Sequence, residues 1–253
     1  SATDPYAMPV VAKLEVAAGI TSSVPVILFL RPGEARLNSL AGNSQGFFSL
    51  ELKQEDPAGL MQAGESFIKM YDTDKMKALL AQSAGNEKVD TARFLHCRLF
   101  DLLIGDWDRH GGQWDWLAFN DENHTVFRPV PKDRDQALAY YKDGIVPWVL
   151  SRKFLLRKIS SFEGNFEDVE GSLQNGRELD EWLLKDLSEN GFVAAAVALQ
   201  KTIPDEVLEE AVAQYPAVFK DTRRAAVLEI LKQRRAKLPE VARQFYRALH
   251  REK

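Results

Sequence analysis

The stretch LFDLLIGDWDRHGGQWDW, Leu99–Trp116, decides how the rest of this chain is read. Leu95, Leu99, Leu102 and Leu103 fall at helical spacing, which places one apolar helix face on a core, with Cys97 in the same layer. Asp90 opens that helix and Gly105 stops it. Asp106, Asp108, Arg109 and His110 follow the stop directly, and an amide, Gln113, comes five positions after Asp108. Gln113–Phe119 and Thr125–Val130 then alternate like two strands, with NDENH (Asn120–His124) as turn material between them. The second strand delivers the chain to PKDRDQAL (Pro131–Leu138), which carries Asp133 and Asp135.

A helix, an acidic loop, a hairpin and a second acidic turn, in that order, set out the parts that phosphoryl transfer needs. That chemistry rests mostly on positioning and charge neutralisation, with one carboxylate near the acceptor hydroxyl. Asp108 fits the carboxylate. Gln113 with either Asp133 or Asp135 would hold Mg²⁺ or Mn²⁺ through oxygen, the donor that such hard cations prefer. Asp106, Arg109 and His110 would pair within the loop and hold its shape. Two other readings stay open at this point. The cluster could be a salt-bridged turn without chemistry. Alternatively, Asp106, Asp108 and His110 alternate and could chelate a transition metal, as in a metal-dependent phosphohydrolase. His96, His124 and His250 are dispersed and form no HExxH helix.

Composition narrows the classes. The 253 residues can bury a sizeable core as one large domain or two lobes. A net charge of −4 lacks the basic surplus of a general nucleic-acid binder. No apolar run approaches a membrane span, and VPVILFL (Val24–Leu30) reads as a buried strand. Cys97 stands alone, which excludes an intrachain disulfide and a cysteine metal cluster. Ser1 opens the sequence without an initiator Met or a signal peptide, so a processed chain or a piece of a longer one is expected.

Around the central motif the chain reads as a small mixed α/β front and a larger helical back. A helix is expected over Pro5–Ala18, strands over Val24–Leu30 and Phe47–Gln54, a loop over Glu55–Gly64, and a helix from Asp72-Thr73-Asp74 to about Ala81. Helical character is expected again after Gly144, with an irregular stretch over Gly164–Gly176. Helices then follow at Glu178–Glu189, Phe192–Lys201, Asp205–Gln214, Thr222–Lys237 and Pro239–Arg251. Leu228, Leu231, Leu238, Phe245 and Leu249 suggest that the last two pack as an antiparallel pair. Trp107, Trp114 and Trp116 read as anchors for the acidic loop, and Arg223-Arg224 and Arg234-Arg235 as solvated faces.

LFDLLIGDWDRHGGQWDW, RPVPKDRDQAL and LKQRRAKLPEVARQFYRAL resemble a kinase-like family related to the HipA-type and secretory-pathway (Golgi casein kinase-type) kinases. They are more similar still to the kinase-like region of bacterial envelope-associated proteins that also carry metallophosphoesterase or outer-membrane β-barrel segments. The resemblance implies an α+β fold with a helical large lobe over 55–253 and a partial small lobe over 1–54. It implies ATP and Mg²⁺ or Mn²⁺ as cofactors, with Asp108 as the base, Gln113 as one metal ligand and Asp133 as the other, Asp135 being the alternative to Asp133. It makes FFSLELKQ (Phe47–Gln54) the last small-lobe strand and hinge, places the protein at the cell envelope, and implies an unidentified phosphoacceptor and other domains of a parent protein as partners. The chain departs from the pattern in its small lobe. Lys13 and Glu15 read as a solvated helix face rather than the ion pair that orients phosphates, and Gly42 and Gly46 make no phosphate loop. A catalytically inactive, kinase-like scaffold is therefore the second reading.

Overall fold

The computed structural model describes residues 6–21, 26–30, 46–50, 64–83, 85–120, 124–140, 162–215 and 221–251. Its first half contains helix α1 (Ala7–Ala17), strands β1 (Val26–Leu30), β2 (Gly46–Leu50) and β3 (Ser66–Asp72), helix α2 (Thr73–Gln82), strand β4 (Glu87–Val89) and helix α3 (Thr91–Ile104). A 3₁₀ turn at Gly111–Gln113 leads into strands β5 (Trp114–Asn120) and β6 (Thr125–Pro131). The second half is helical: α4 (Val169–Ser172), α5 (Arg177–Leu184), α6 (Glu189–Thr202), α7 (Asp205–Val212) and α8 (Asp221–Leu249). The described residues are thus mixed α+β, with a four-stranded sheet in the order β3-β5-β6-β4 and a mostly helical body. β1 and β2 form a separate antiparallel pair. The expected hinge over residues 51–54, the boundary at residue 54, Gly42 and the helical stretch after residue 144 up to residue 161 lie outside the described residues.

α3 is the axis of the body. The Asp90 carboxylate accepts the Arg93 N–H at 2.9 Å, satisfying one of the open donors of the first turn. Sequence periodicity predicts one buried face, yet every residue from Cys97 to Ile104 is buried. The reason is that α3 is packed by α5, α6, α8 and β6 at once. Gly105 ends the helix in the left-handed region at φ 73°. A Cβ there would also meet Phe162 Cδ2 at 2.9 Å, so the stop is fixed both by backbone conformation and by a close neighbour.

The expected pair of terminal helices is one helix of 29 residues, with Pro239 inside it. Proline lacks the N–H that would bond the carbonyl four residues back, and it normally breaks a helix. Here that carbonyl, Arg235 O, accepts a bond from Gln200 Nε2 of α6 at 2.7 Å. The helix therefore continues. Leu231, Leu238 and Phe245 recur every seven residues on its buried side, a stripe that only an unbroken helix can keep in line. Because Gln200 answers for Pro239, Gln200→Ala is expected to cost about 1 kcal/mol in the native chain. The same change should cost measurably less beside Pro239→Ala, where the restored N–H takes over the carbonyl. Urea denaturation of the four proteins of this double-mutant cycle checks it.

Two further expectations are corrected by burial. Arg234 is not on a solvated face. It is buried, and its guanidinium donates to Leu103 O (2.9 Å), Leu102 O (2.6 Å) and Glu163 O (2.8 Å) while lying 4.0 Å from the Phe166 ring centre. It caps the negative C-terminal end of α3, with no carboxylate partner among the described residues, and burial pushes it down to about 9. Arg235 likewise bonds Ile203 O and Asp205, and Arg224 is half-buried and bonds Tyr215 O. Glu15, expected on a solvated face, is 2% exposed and accepts from Arg134 Nε at 2.9 Å. Lys13 does face solvent, paired with Glu210 at 2.9 Å. Part of the expected irregular stretch is the short helix α4, whose first turn is capped by the Asp168 carboxylate on Gly171 N–H. Among the described residues, no helix is long and apolar enough to cross a membrane.

Candidate active site

The loop after Gly105 is built around buried charge. Asp106 N–H donates to Asp101 O at 2.9 Å, which turns the chain back against α3. The Asp106 carboxylate then accepts the Asp108 N–H, Arg109 Nη1 and Arg134 Nη1, each at 3.3 Å. Asp101 is the hub. Arg98 Nη1 donates to it at 2.9 Å, Arg109 Nε lies 3.4 Å away, and Arg134 Nη1 donates to its second oxygen. Burial alone would raise the Asp101 carboxyl, but Arg134, Arg109 and Arg98 together hold it below its usual range. Asp106 moves the other way: burial raises it, and the nearby Asp101 charge adds to that. On the far side of the hub, Asp180 of α5 takes a two-pronged bond from Arg98 at 2.7 and 2.9 Å.

Arg109 is fully buried and joins this network to the hairpin. Its Nη1 donates to Lys132 O at 2.6 Å and Asp133 O at 2.9 Å, and its Nη2 donates to Gln113 O at 3.1 Å. One side chain thereby clamps both ends of the β5–β6 hairpin at its open mouth, where Trp114 pairs with Pro131. The hairpin itself is anchored by Trp114 and Trp116, both buried against Phe94 with ring centres 4.9 and 5.9 Å away. Trp116 Nε1 donates to Thr73 Oγ1, whose hydroxyl donates in turn to Gly111 O. Arg109 and Asp106 are thus bonded within the loop and to the hairpin. His110 differs: it is exposed, and its Nδ1 accepts the Gly112 N–H instead of pairing with a carboxylate.

The clamp brings Gln113 and Asp133 together. Gln113 Nε2 donates to Asp133 Oδ2 at 3.0 Å, although the residues are 20 positions apart. Asp133 sits at φ 53°, a left-handed conformation uncommon for a residue other than glycine, and it directs the chain sharply out of β6. Its other oxygen accepts the Asp135 N–H at 3.3 Å. Asp135 is exposed, and partial burial together with the Asp133 charge pushes its carboxyl up to about 6. An acid raised in the folded state binds its proton there at a pH where the unfolded chain has lost it. Its contribution is therefore intact below about pH 4 and is lost as pH rises through about 6. The native protein is expected to lose stability relative to Asp135→Asn across that window, read as a falling difference in Tm.

Asn175 is the residue that sequence reasoning missed. Its Nδ2 donates to Asp108 Oδ1 at 2.5 Å from the turn between α4 and α5. Beside it opens a cleft of about 260 Å³, walled by Thr73, Lys77, His110, Lys132, Asn175 and Glu178 among others, with a Lys77–Glu178 ion pair across its rim. An amide oxygen and a carboxylate are donors a hard divalent cation could take, though as placed Gln113 turns its amide nitrogen to Asp133. Among the described residues no group of three or more His, Cys, Asp or Glu side chains is placed to hold a metal ion. Asp106, Asp108 and His110 in particular do not converge, since Asp106 is held by two arginines and His110 turns to solvent.

These residues define an α+β protein in which one buried arginine ties an acidic loop to a hairpin mouth and a second acidic turn. No family model matches the chain, and no curated protein matches it. Among solved structures it is similar to the Helicobacter pylori proinflammatory kinase CtkA, at 12% identity over 95% of this chain and 85% of that one, with a TM-score of 0.48. It is also similar to a chain of the Shewanella oneidensis MR-1 toxin–antitoxin complex of HipA, HipB and operator DNA. That match has 11% identity over 94% of this chain and 57% of the other, with a TM-score of 0.42.

Proposed function

We propose that this chain is the kinase-like part of an ATP-dependent phosphotransferase that works with Mg²⁺ or Mn²⁺. The observation that carries the reading is the Gln113–Asp133 contact at the hairpin mouth, fixed to the loop of Asp108 by a single buried arginine. Asp108 accepts the proton of the acceptor hydroxyl and orients it. Gln113, with its amide turned so that the oxygen leads, and Asp133 hold the cation, with Asp135 as the alternative carboxylate. The bound cation would neutralise phosphate charge. Arg109 keeps the two ligands in register and stays out of the cleft. Calorimetry of Mg²⁺-ATP binding tests the reading: saturable, metal-dependent binding is expected, and Asp133→Ala should weaken it at least tenfold. Binding that Asp133→Ala leaves untouched would sink it.

One observation favours an inactive scaffold as the second reading. Lys13 is held by Glu210 and Glu15 by Arg134, so neither belongs to an ion pair poised over a phosphate. Phosphate transfer that disappears on Asp108→Asn in a folded protein excludes the scaffold.

A further inference from the structure

We infer that Asn175 is a positioning residue for Asp108, holding one carboxylate oxygen so that the other is presented to the acceptor. The inference rests on the phosphotransfer reading and adds a part to it. The Asn175 amide reaches Asp108 Oδ1 at 2.5 Å, across 67 positions of sequence. Among the described residues no other side chain bonds this carboxylate, so its second oxygen is left for an acceptor.

The frame behind Asn175 is what makes it a positioning group and not a passing contact. Gly176 follows it, and a Cβ there would lie 2.6 Å from Arg98 Nη2 and 3.2 Å from Arg109 O. Only glycine lets the backbone lie this close to the buried network. Gly176 N–H bonds Leu173 O, and Gly176 O receives the N–H of Asp180, whose carboxylate is the one gripped by Arg98. The 175–180 segment is therefore tied to the same arginines that set the acidic loop. Asn175 inherits that rigidity, and a charge-assisted bond from a fixed donor holds a carboxylate direction that a free side chain would not keep. Asn175 also forms part of the wall of the 260 Å³ cleft, whereas Asp108 does not. A hydroxyl arriving through that cleft meets the amide first, and Asp108 lies directly behind it at hydrogen-bond distance.

The test uses the full chain with Mg²⁺-ATP and follows nucleotide turnover, with Asn175→Ala and the isosteric Asn175→Asp beside the native protein. Both variants are expected to lose about 10- to 100-fold in kcat, with KM for ATP within about twofold, because the amide serves the acceptor side and not the nucleotide. Asn175→Asp keeps the shape but exchanges the donor for a second carboxylate facing Asp108, so it is read beside the uncharged Asn175→Ala. A packing role would show as a fall in Tm with kcat per folded molecule unchanged. Crystal structures of Asn175→Ala should show the Asp108 carboxylate rotated from its native direction. Native kcat in Asn175→Asp, or an unmoved Asp108 in Asn175→Ala, overturns the proposal while phosphotransfer stands. A native protein inert toward Mg²⁺-ATP overturns the phosphotransfer reading, and this proposal with it.

Discussion

Asp108→Asn is expected to lower phosphate transfer by about 10²- to 10⁴-fold while leaving Mg²⁺-ATP affinity within about twofold. The change removes a proton acceptor and little else. Asp108 is half-buried, its backbone is held by Asp106, and an asparagine retains an oxygen for Asn175 to bond. Melting temperature should therefore stay near the native value, so that a loss of turnover reports chemistry and not folding. The measurement is release or transfer of labelled γ-phosphate by the native and variant chains at matched concentrations. Unchanged turnover in Asp108→Asn removes this residue from the mechanism.

The second large effect is expected at Asp101→Asn, and it falls on stability. Asp101 is wholly buried and faces Arg98, Arg109 and Arg134. Removing its charge leaves three buried guanidinium groups sharing Glu15, Asp106 and Asp180. Taking one partner out of a buried ionic cluster costs about 3–5 kcal/mol, because the remaining charges stay desolvated without compensation. Chemical denaturation of Asp101→Asn should show that loss. Lys75→Ala, which breaks the exposed pair with Asp72, should cost less than about 1 kcal/mol. Since Arg109 also carries Gln113 and Asp133, any Asp101→Asn protein that does fold should bind Mg²⁺-ATP more weakly.

The contrast between these two residues shows what was legible in the sequence. Asp108 stood out through order and spacing, with an amide five positions on and a second acidic turn after a hairpin. The caps at Asp72 and Asp90, the stop at Gly105 and the hairpin were readable because each follows from a local rule that acts within a few positions. Asp101 was hidden. It is the second residue of FDLLI, and nothing in a helical periodicity says that a carboxylate there faces inward toward arginines 3, 8 and 33 positions away. Only its place in an otherwise apolar run could have flagged it. Asn175 is harder still, since an Asn-Gly pair is first of all a turn signal. Pro239 misled for the opposite reason: the local rule was right about the missing bond, and a glutamine from another helix supplied it.

The hairpin also determines where this chain tolerates a change of length. Gln113 and Asp133 meet at the open mouth, and the Asn120–Thr125 pair lies at the other end of two seven-residue strands, about 23 Å away. Residues added beyond that pair leave the meeting undisturbed. One residue added within either strand reverses the facing of everything between it and the mouth, and the two side chains would part. The separation of Gln113 and Asp133 is thus written in strand register, and relatives of this chain should vary in length at the tip and stay constant along the strands.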